Sequence, residues 1–198
     1  KRTRVQVYME MKSINSDITI SPSPKYFISE NRNISEIQDE MFPLSGVSNK
    51  QTIYCNENGY YAIYKSDRFG FNNPDENWSH KNFDKVLIGD SFVHGACVNY
   101  EDTIAGKLKK FNKKDNILNL GIPSTGPLIQ LGIFKEFLLT SKNDIKQIFW
   151  FYYEGNDLDN LSNEKKDPLL IKYLNDENFS QNLILKKKIS NKIVNELI

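Results

Sequence analysis

A chain of 198 residues with 26 basic and 25 acidic side chains carries a formal charge of +1. That balance gives no electrostatic footprint for nucleic acid or an anionic surface, and no apolar run is long enough to span a bilayer. The length suits one ordinary domain, and the two cysteines (Cys55, Cys97) and two histidines (His80, His94) lack metal-ligand spacing, so no metal and no cofactor is expected.

The chain opens on Lys1-Arg2-Thr3-Arg4 without Met, so the start of the gene product is expected upstream, where an export signal or anchor would fit. Arg4 to Met11 reads as either a strand or a helix, Ser21-Pro22-Ser23-Pro24 breaks it, and Asn31 to Asn33 reads as loop. Thr52-Ile53-Tyr54-Cys55 and Tyr60-Tyr61-Ala62-Ile63-Tyr64 form the best hairpin signal, with Asn58-Gly59 supplying the positive φ angles of the turn. Asp67-Arg68-Phe69-Gly70-Phe71-Asn72-Asn73-Pro74 follows, polar but rich in aromatics. It reads as an ordinary loop packed over a sheet edge, or as a border of the active-site mouth through Arg68, Asn72 and Asn73. Residues 1–80 are taken as an accessory segment and 81–198 as the main α/β domain.

Three strands organise that domain. Lys85-Val86-Leu87-Ile88 runs into Gly89-Asp90-Ser91, a short apolar run bounded by turn residues, as a buried parallel strand would be. Glu101-Asp102-Thr103 then opens a helix with Ile104, Leu108 and Phe111 on one face. Asn116 to Leu120 is the second strand, ending in Gly121-Ile122-Pro123-Ser124-Thr125-Gly126. Pro127 suits a first helical position, and Leu128, Leu131, Phe134 and Leu138 make the stripe of the next helix. Ile148 to Tyr153 is the third strand, ending in Glu154-Gly155-Asn156-Asp157. Strand, helix, strand, helix, strand implies parallel pairing with right-handed crossovers in a doubly wound sheet. Asp167-Pro168 turns the chain, after which Leu185, Ile189, Ile193 and Leu197 have helical spacing. The last helix has no stop signal, so the sheet is expected to be incomplete at this end, with an exposed edge on the third strand.

Read alone, Asp90 and Ser91 are turn and cap residues, and Asn156 is a turn former. Taken in order, Gly89-Asp90-Ser91, Asn119-Leu120-Gly121 and Gly155-Asn156-Asp157 resemble the first three sequence blocks of the SGNH (GDSL-type) hydrolases, over about residues 82 to 160. The Ser66 to Pro74 stretch resembles the lead-in of some bacterial members. The resemblance implies a flavodoxin-like fold and a serine esterase acting on small-molecule or glycan esters. It makes Ser91 the nucleophile and an oxyanion donor through its own N–H, and Asn156 a second donor through its amide. Aligning Asn119 with the family's strand-end Asn puts Ser124 where the family has a donor glycine. Asp90, Gly121 and Gly126 would border the substrate.

The family's base is a His in an Asp-x-x-His segment near the C-terminus, and no His follows His94. The catalytic dyad is therefore incomplete in these residues. Two rival readings are a non-catalytic relative that binds glycan or acyl groups, and an O-acyltransferase of cell-surface polysaccharide. Glu154, Asp157 and Asp159 suggest a metal site at the same strand end, with Asp90 able to contribute, but a second carboxylate-bearing strand is lacking. Cys55 and Cys97 would pair in an exported protein and stay free thiols in a cytoplasmic one.

Overall fold

The ambiguous opening segment is helical. In the computed structural model, which describes residues 2–28, 41–141 and 143–196, α1 spans Arg4–Ile14. Thr3 begins it with a capping box: its side chain accepts from the Gln6 N–H, and the Gln6 side chain accepts from the Thr3 N–H. Helix propensity decides here, because the segment buries only Val7 and Tyr8, against Ile18 and Ile53 of the strands beneath. The expected loop at Asn31 to Asn33 lies outside the described residues, as does Leu197.

β1 (Ile18–Ile20) pairs parallel with β2 (Gln51–Ile53), and β2 pairs antiparallel with β3 (Ile63–Lys65), Thr52 opposite Tyr64. The hairpin is present, with residues 54–62 between its two strands. The Tyr54 N–H donates to the Ala62 carbonyl and the Ala62 N–H to the Cys55 carbonyl, and only Gly59 of the Asn58-Gly59 pair has positive φ, at 86°. Asn58 Nδ2 reaches out of this connection to the Cys97 carbonyl instead of bonding across it.

The second sheet system holds the parallel strands. β4 (Asn82–Phe83) leads into β5 (Lys85–Ile88), and α2 (Ser91–His94) and α3 (Ile104–Phe111) follow. Next come β6 (Ile117–Asn119), α4 (Pro127–Phe137), β7 (Asp144–Ile145), β8 (Ile148–Trp150), α5 (Asp157–Glu164), α6 (Pro168–Asn175) and α7 (Lys187–Glu196). β6, β5 and β8 form a parallel sheet in that order, and β4 pairs parallel with β7 in the register that β5 and β8 continue. β5 is central, which is why Val86, Leu87 and Ile88 are all fully buried. The protein is thus mixed α/β with parallel pairing. β8 is the outer strand, and every side chain from Ile148 to Tyr153 is exposed, as expected of an uncovered edge.

Three helical expectations need correction. Phe111 is 90% exposed, because α3 seats only Ala105, Ile104 and Leu108 on Leu87, Val93 and Ile117, and its last turn overhangs the sheet. Leu185 lies before α7 and is exposed, Ile189 is exposed on it, and the buried face is Ser190, Ile193 and Val194. α4 is buried on more than a stripe: Leu128 and Leu138 are buried and Leu131 and Phe134 half-buried, but Ile129, Ile133 and Phe137 carry the deeper packing. Pro127 does occupy the first helical turn. Gly126 has no side chain to cap that turn, and Glu164 does so from the end of α5, accepting from the N–H groups of Gly126, Leu128 and Ile129. Burial pushes the Glu164 carboxyl up to about 7, against the pull of those donors. Asp167-Pro168 starts α6, with Asp167 accepting from Leu169 and Leu170.

One core crosses residue 80. Phe27, Phe42, Leu44 and Phe71 pack with Val86, Ile88, Leu118, Ile133 and Ile193 in a single cluster. A disulfide also joins the hairpin to the main sheet: Cys55 and Cys97 are bonded, with Cα atoms 4.8 Å apart. Its sequence separation is 42, and in the chain-entropy model closing such a loop contributes about 4 kcal/mol. Urea unfolding of the Cys55→Ser/Cys97→Ser protein, compared with the oxidised wild type, is expected to show a loss of that order. Coincident curves would mean that the bond adds nothing to the packing around it.

Candidate functional site

β5 delivers Ser91 through a junction with no room for side chains. A Cβ on Gly89 would sit 2.6 Å from Val93 Cγ2 and 3.2 Å from Phe151 Cβ, so glycine is required between the strand and its neighbour. Asp90 then caps α2, its Oδ1 accepting from the Phe92 N–H at 2.9 Å. Ser91 is the first residue of this single helical turn, which ends at Gly95 in the left-handed conformation, φ 89°. Gly121, just after β6, lies against the backbone of Val93 and His94, where a Cβ would come 2.3 Å from the His94 nitrogen.

The three residues expected to carry the chemistry follow the carboxyl ends of three adjacent strands. Ser91 follows β5, Ser124 follows β6 and Asn156 follows β8. Ser124 has φ 59°, the left-handed region that glycine favours, so a serine here makes a turn that usually calls for glycine. The N–H groups of Ser91 and Ser124 and the side-chain amide of Asn156 donate no hydrogen bond among the described residues. All three residues are partly exposed. Asp90, Gly121 and Gly126 are instead buried, Gly126 against Asn160 and Leu161 of α5.

What holds the Ser91 turn is a polar network in the Asp67 to Pro74 stretch, expected either as a loop over a sheet edge or as a border of the site mouth. Asp67 is fully buried, and its carboxylate accepts from four donors: the N–H groups of Phe69 and Phe71, Asn73 Nδ2 and Trp78 Nε1. Asn73 in turn pairs with the backbone of Asn119, donating to its carbonyl at 2.8 Å and accepting its N–H at 2.8 Å. The Asn119 side chain donates to the Val93 carbonyl at 2.8 Å, and Asn72 donates to the His94 carbonyl at 3.0 Å. These are the carbonyls at the end of α2 that lack intrahelical partners. The only hint in the sequence was the Asn72-Asn73 pair ahead of Pro74.

Neither histidine serves Ser91. His94 is 1% exposed, points away into a niche between Tyr54 and Tyr64 (both ring centroids 5.0 Å away), and neither of its nitrogens has a partner. Burial pushes its pKa down to about 3. His80 is exposed beyond the 3₁₀ turn Asp75–Ser79. The acidic cluster does not assemble as a metal centre either. Glu154 and Asp159 face solvent, and no group of three or more His, Cys, Asp or Glu among the described residues is arranged to hold an ion. Asp157 is buried and its carboxyl is raised by burial, with the nearby Asp90 adding to the shift. Beside Ser91 lies a cavity of about 280 Å³, walled in part by Phe92, Ala96, Asp102 and Ile104, and by Glu57 from the hairpin loop. No spacing or motif signal pointed to Glu57 at this place.

No protein-family model matches the chain, and no curated protein or solved structure matches it.

Burial raises the Asp67 carboxyl from 3.8 to about 6 despite the four donors. A raised carboxyl binds its proton more tightly in the folded state. The stability it contributes is therefore complete below about pH 4 and lost as pH rises through about 6. The difference in unfolding free energy, wild type minus Asp67→Asn, is expected to fall by about 2–3 kcal/mol between pH 4 and pH 6.5. A difference that stays flat or grows over that window would show that the four donors outweigh the burial.

Proposed function

We propose that this chain carries the nucleophile and oxyanion donors of an SGNH-type acyl-transfer site, acting on small-molecule or glycan esters. The observation that carries this reading is the row of three unpaired donors, at Ser91, Ser124 and Asn156, after adjacent parallel strands. The strand order β6-β5-β8 is also what a flavodoxin-like, doubly wound sheet would begin with. In this reading the Ser91 Oγ attacks the ester carbonyl and the negative charge develops on the carbonyl oxygen. The N–H groups of Ser91 and Ser124 and the Asn156 amide receive that oxygen, as an oxyanion hole does. Collapse breaks the bond to the alcohol, which leaves with a proton, and water later releases the acyl group from Ser91.

The first step also needs a base for the serine proton, worth about 10² to 10⁴ in rate. His94 is sealed between tyrosines, and His80 is exposed and forms no hydrogen bond with Ser91 among the described residues. That absence favours a second reading, a relative that binds an ester-bearing glycan without cleaving it.

Two experiments separate these readings. Prolonged incubation with an uncharged alkyl fluorophosphonate is expected to add one phosphonyl group at Ser91, and Ser91→Ala to abolish it. Labelling that persists in the variant would remove Ser91 from the role. The 198-residue chain is expected to hydrolyse p-nitrophenyl acetate no faster than its Ser91→Ala variant by more than about tenfold, for want of a base. Robust Ser91-dependent turnover would mean that a base is present after all. Asn156→Ala is expected to slow phosphonylation with a melting temperature within about 2 °C of wild type, since a partly exposed amide buries little surface. A large fall in melting temperature would make Asn156 a structural residue.

A further inference from the structure

The hairpin does more than pack against the sheet: its open connection ends at the Ser91 cavity. Cys55 is bonded to Cys97, just beyond the Ser91 turn, and Asn58 Nδ2 donates to the Cys97 carbonyl at 3.3 Å. Cys97 itself has φ 58°, a backbone that this double attachment holds in place. Between these two anchors lies Glu57, which lines the cavity together with Ser91 and the apolar Ala96 and Ile104.

Two carboxylates border this space, and they differ. Asp102 has the Lys107 cation beside it at 2.5 Å, both side chains half exposed. Glu57 is exposed and forms no ion pair among the described residues. At about 280 Å³ the cavity is at the small end for a ligand site, so a bound group lies close to that charge. Phe92, 59% exposed beside Ser91 and tilted against the Tyr153 ring with centroids 4.8 Å apart, adds an apolar face to the same lining.

Building on the acyl-transfer reading, we infer that Glu57 is the residue by which the accessory hairpin sets the charge preference of the Ser91 site, admitting neutral or cationic esters and rejecting anionic ones. The reason is Coulombic. An unpaired carboxylate in a partly enclosed cavity repels a like charge within a few ångströms and attracts an opposite one, an effect of about tenfold or more in association at low salt. Because Glu57 is held by the disulfide and the Asn58 bond, the preference depends on the hairpin being fastened.

The test uses three alkyl fluorophosphonates of equal length, ending in trimethylammonium, carboxylate or methyl. Labelling forms the Ser91 Oγ–P bond as the P–F bond breaks. Fluoride leaves, and the hydroxyl proton passes to solvent. Labelling rates of the oxidised full chain at low salt, followed by intact mass, are expected to favour the cationic over the anionic probe by about tenfold. Glu57→Gln is expected to bring that ratio close to one. Cys55→Ser/Cys97→Ser is expected to lower the ratio as well. Equal rates in the wild type, or a ratio unchanged in Glu57→Gln, would overturn the assignment of Glu57 while leaving Ser91 as the nucleophile. Failure of the methyl probe to modify Ser91 would overturn the acyl-transfer reading, and this inference with it.

Discussion

A carboxylate with no exposure must be met by donors, and the fold is built so that Asp67 is met by four. Leaving a buried donor or acceptor unsatisfied costs about 1–3 kcal/mol, so each partner of Asp67 is bound to it at some cost if removed. Two of those partners, Asn73 and Trp78, come from downstream in the same segment, which fixes the loop from Asp67 to Trp78 as a unit. Asn73 passes the constraint to the backbone of Asn119, and Asn119 and Asn72 pass it to the carbonyls of Val93 and His94. The Ser91 turn is only one helical turn long and cannot hold itself by intrahelical bonds. Side-chain amides from two other parts of the chain do so instead.

This dependence explains which parts of the structure were legible in the sequence. β5 was, because a central parallel strand must be apolar on both faces, and Val86-Leu87-Ile88 is. Pro127 marked the start of α4, because its fixed φ suits a first turn. The left-handed turn at Ser124 was not legible, since serine is no signal for positive φ, and only the alignment on Asn119 drew attention to it. The role of Asp67 was invisible for a different reason. In a linear reading a polar residue among aromatics belongs on the surface, and nothing local reveals that Trp78 and Asn73 will close over it. Phe111 failed in the opposite sense: its spacing fits the α3 face, but the strands beneath are shorter than the helix.

The accessory segment and the main sheet are coupled through three kinds of contact, each with its own consequence. The shared core around Phe42, Phe71 and Val86 makes their stabilities interdependent. The Asp67 network sets the geometry of the Ser91 turn. The Cys55–Cys97 bond sets the wall of its cavity. At the β8 edge of the sheet the run from Ile148 to Tyr153 is exposed, and the Trp150 indole N–H donates to Gln130 of α4 at 2.6 Å.

Amides outside the Ser91 turn hold it in shape, and backbone hydrogen exchange in the Asn72→Ala protein measures this, because among the described residues that side chain bonds to the His94 carbonyl alone. The amides of His94, Gly95 and Ala96 are expected to exchange about tenfold faster than in the wild type, the equivalent of one buried hydrogen bond, while those of α4 are unchanged. Unchanged exchange in the turn, or a uniform increase across the protein, would contradict it.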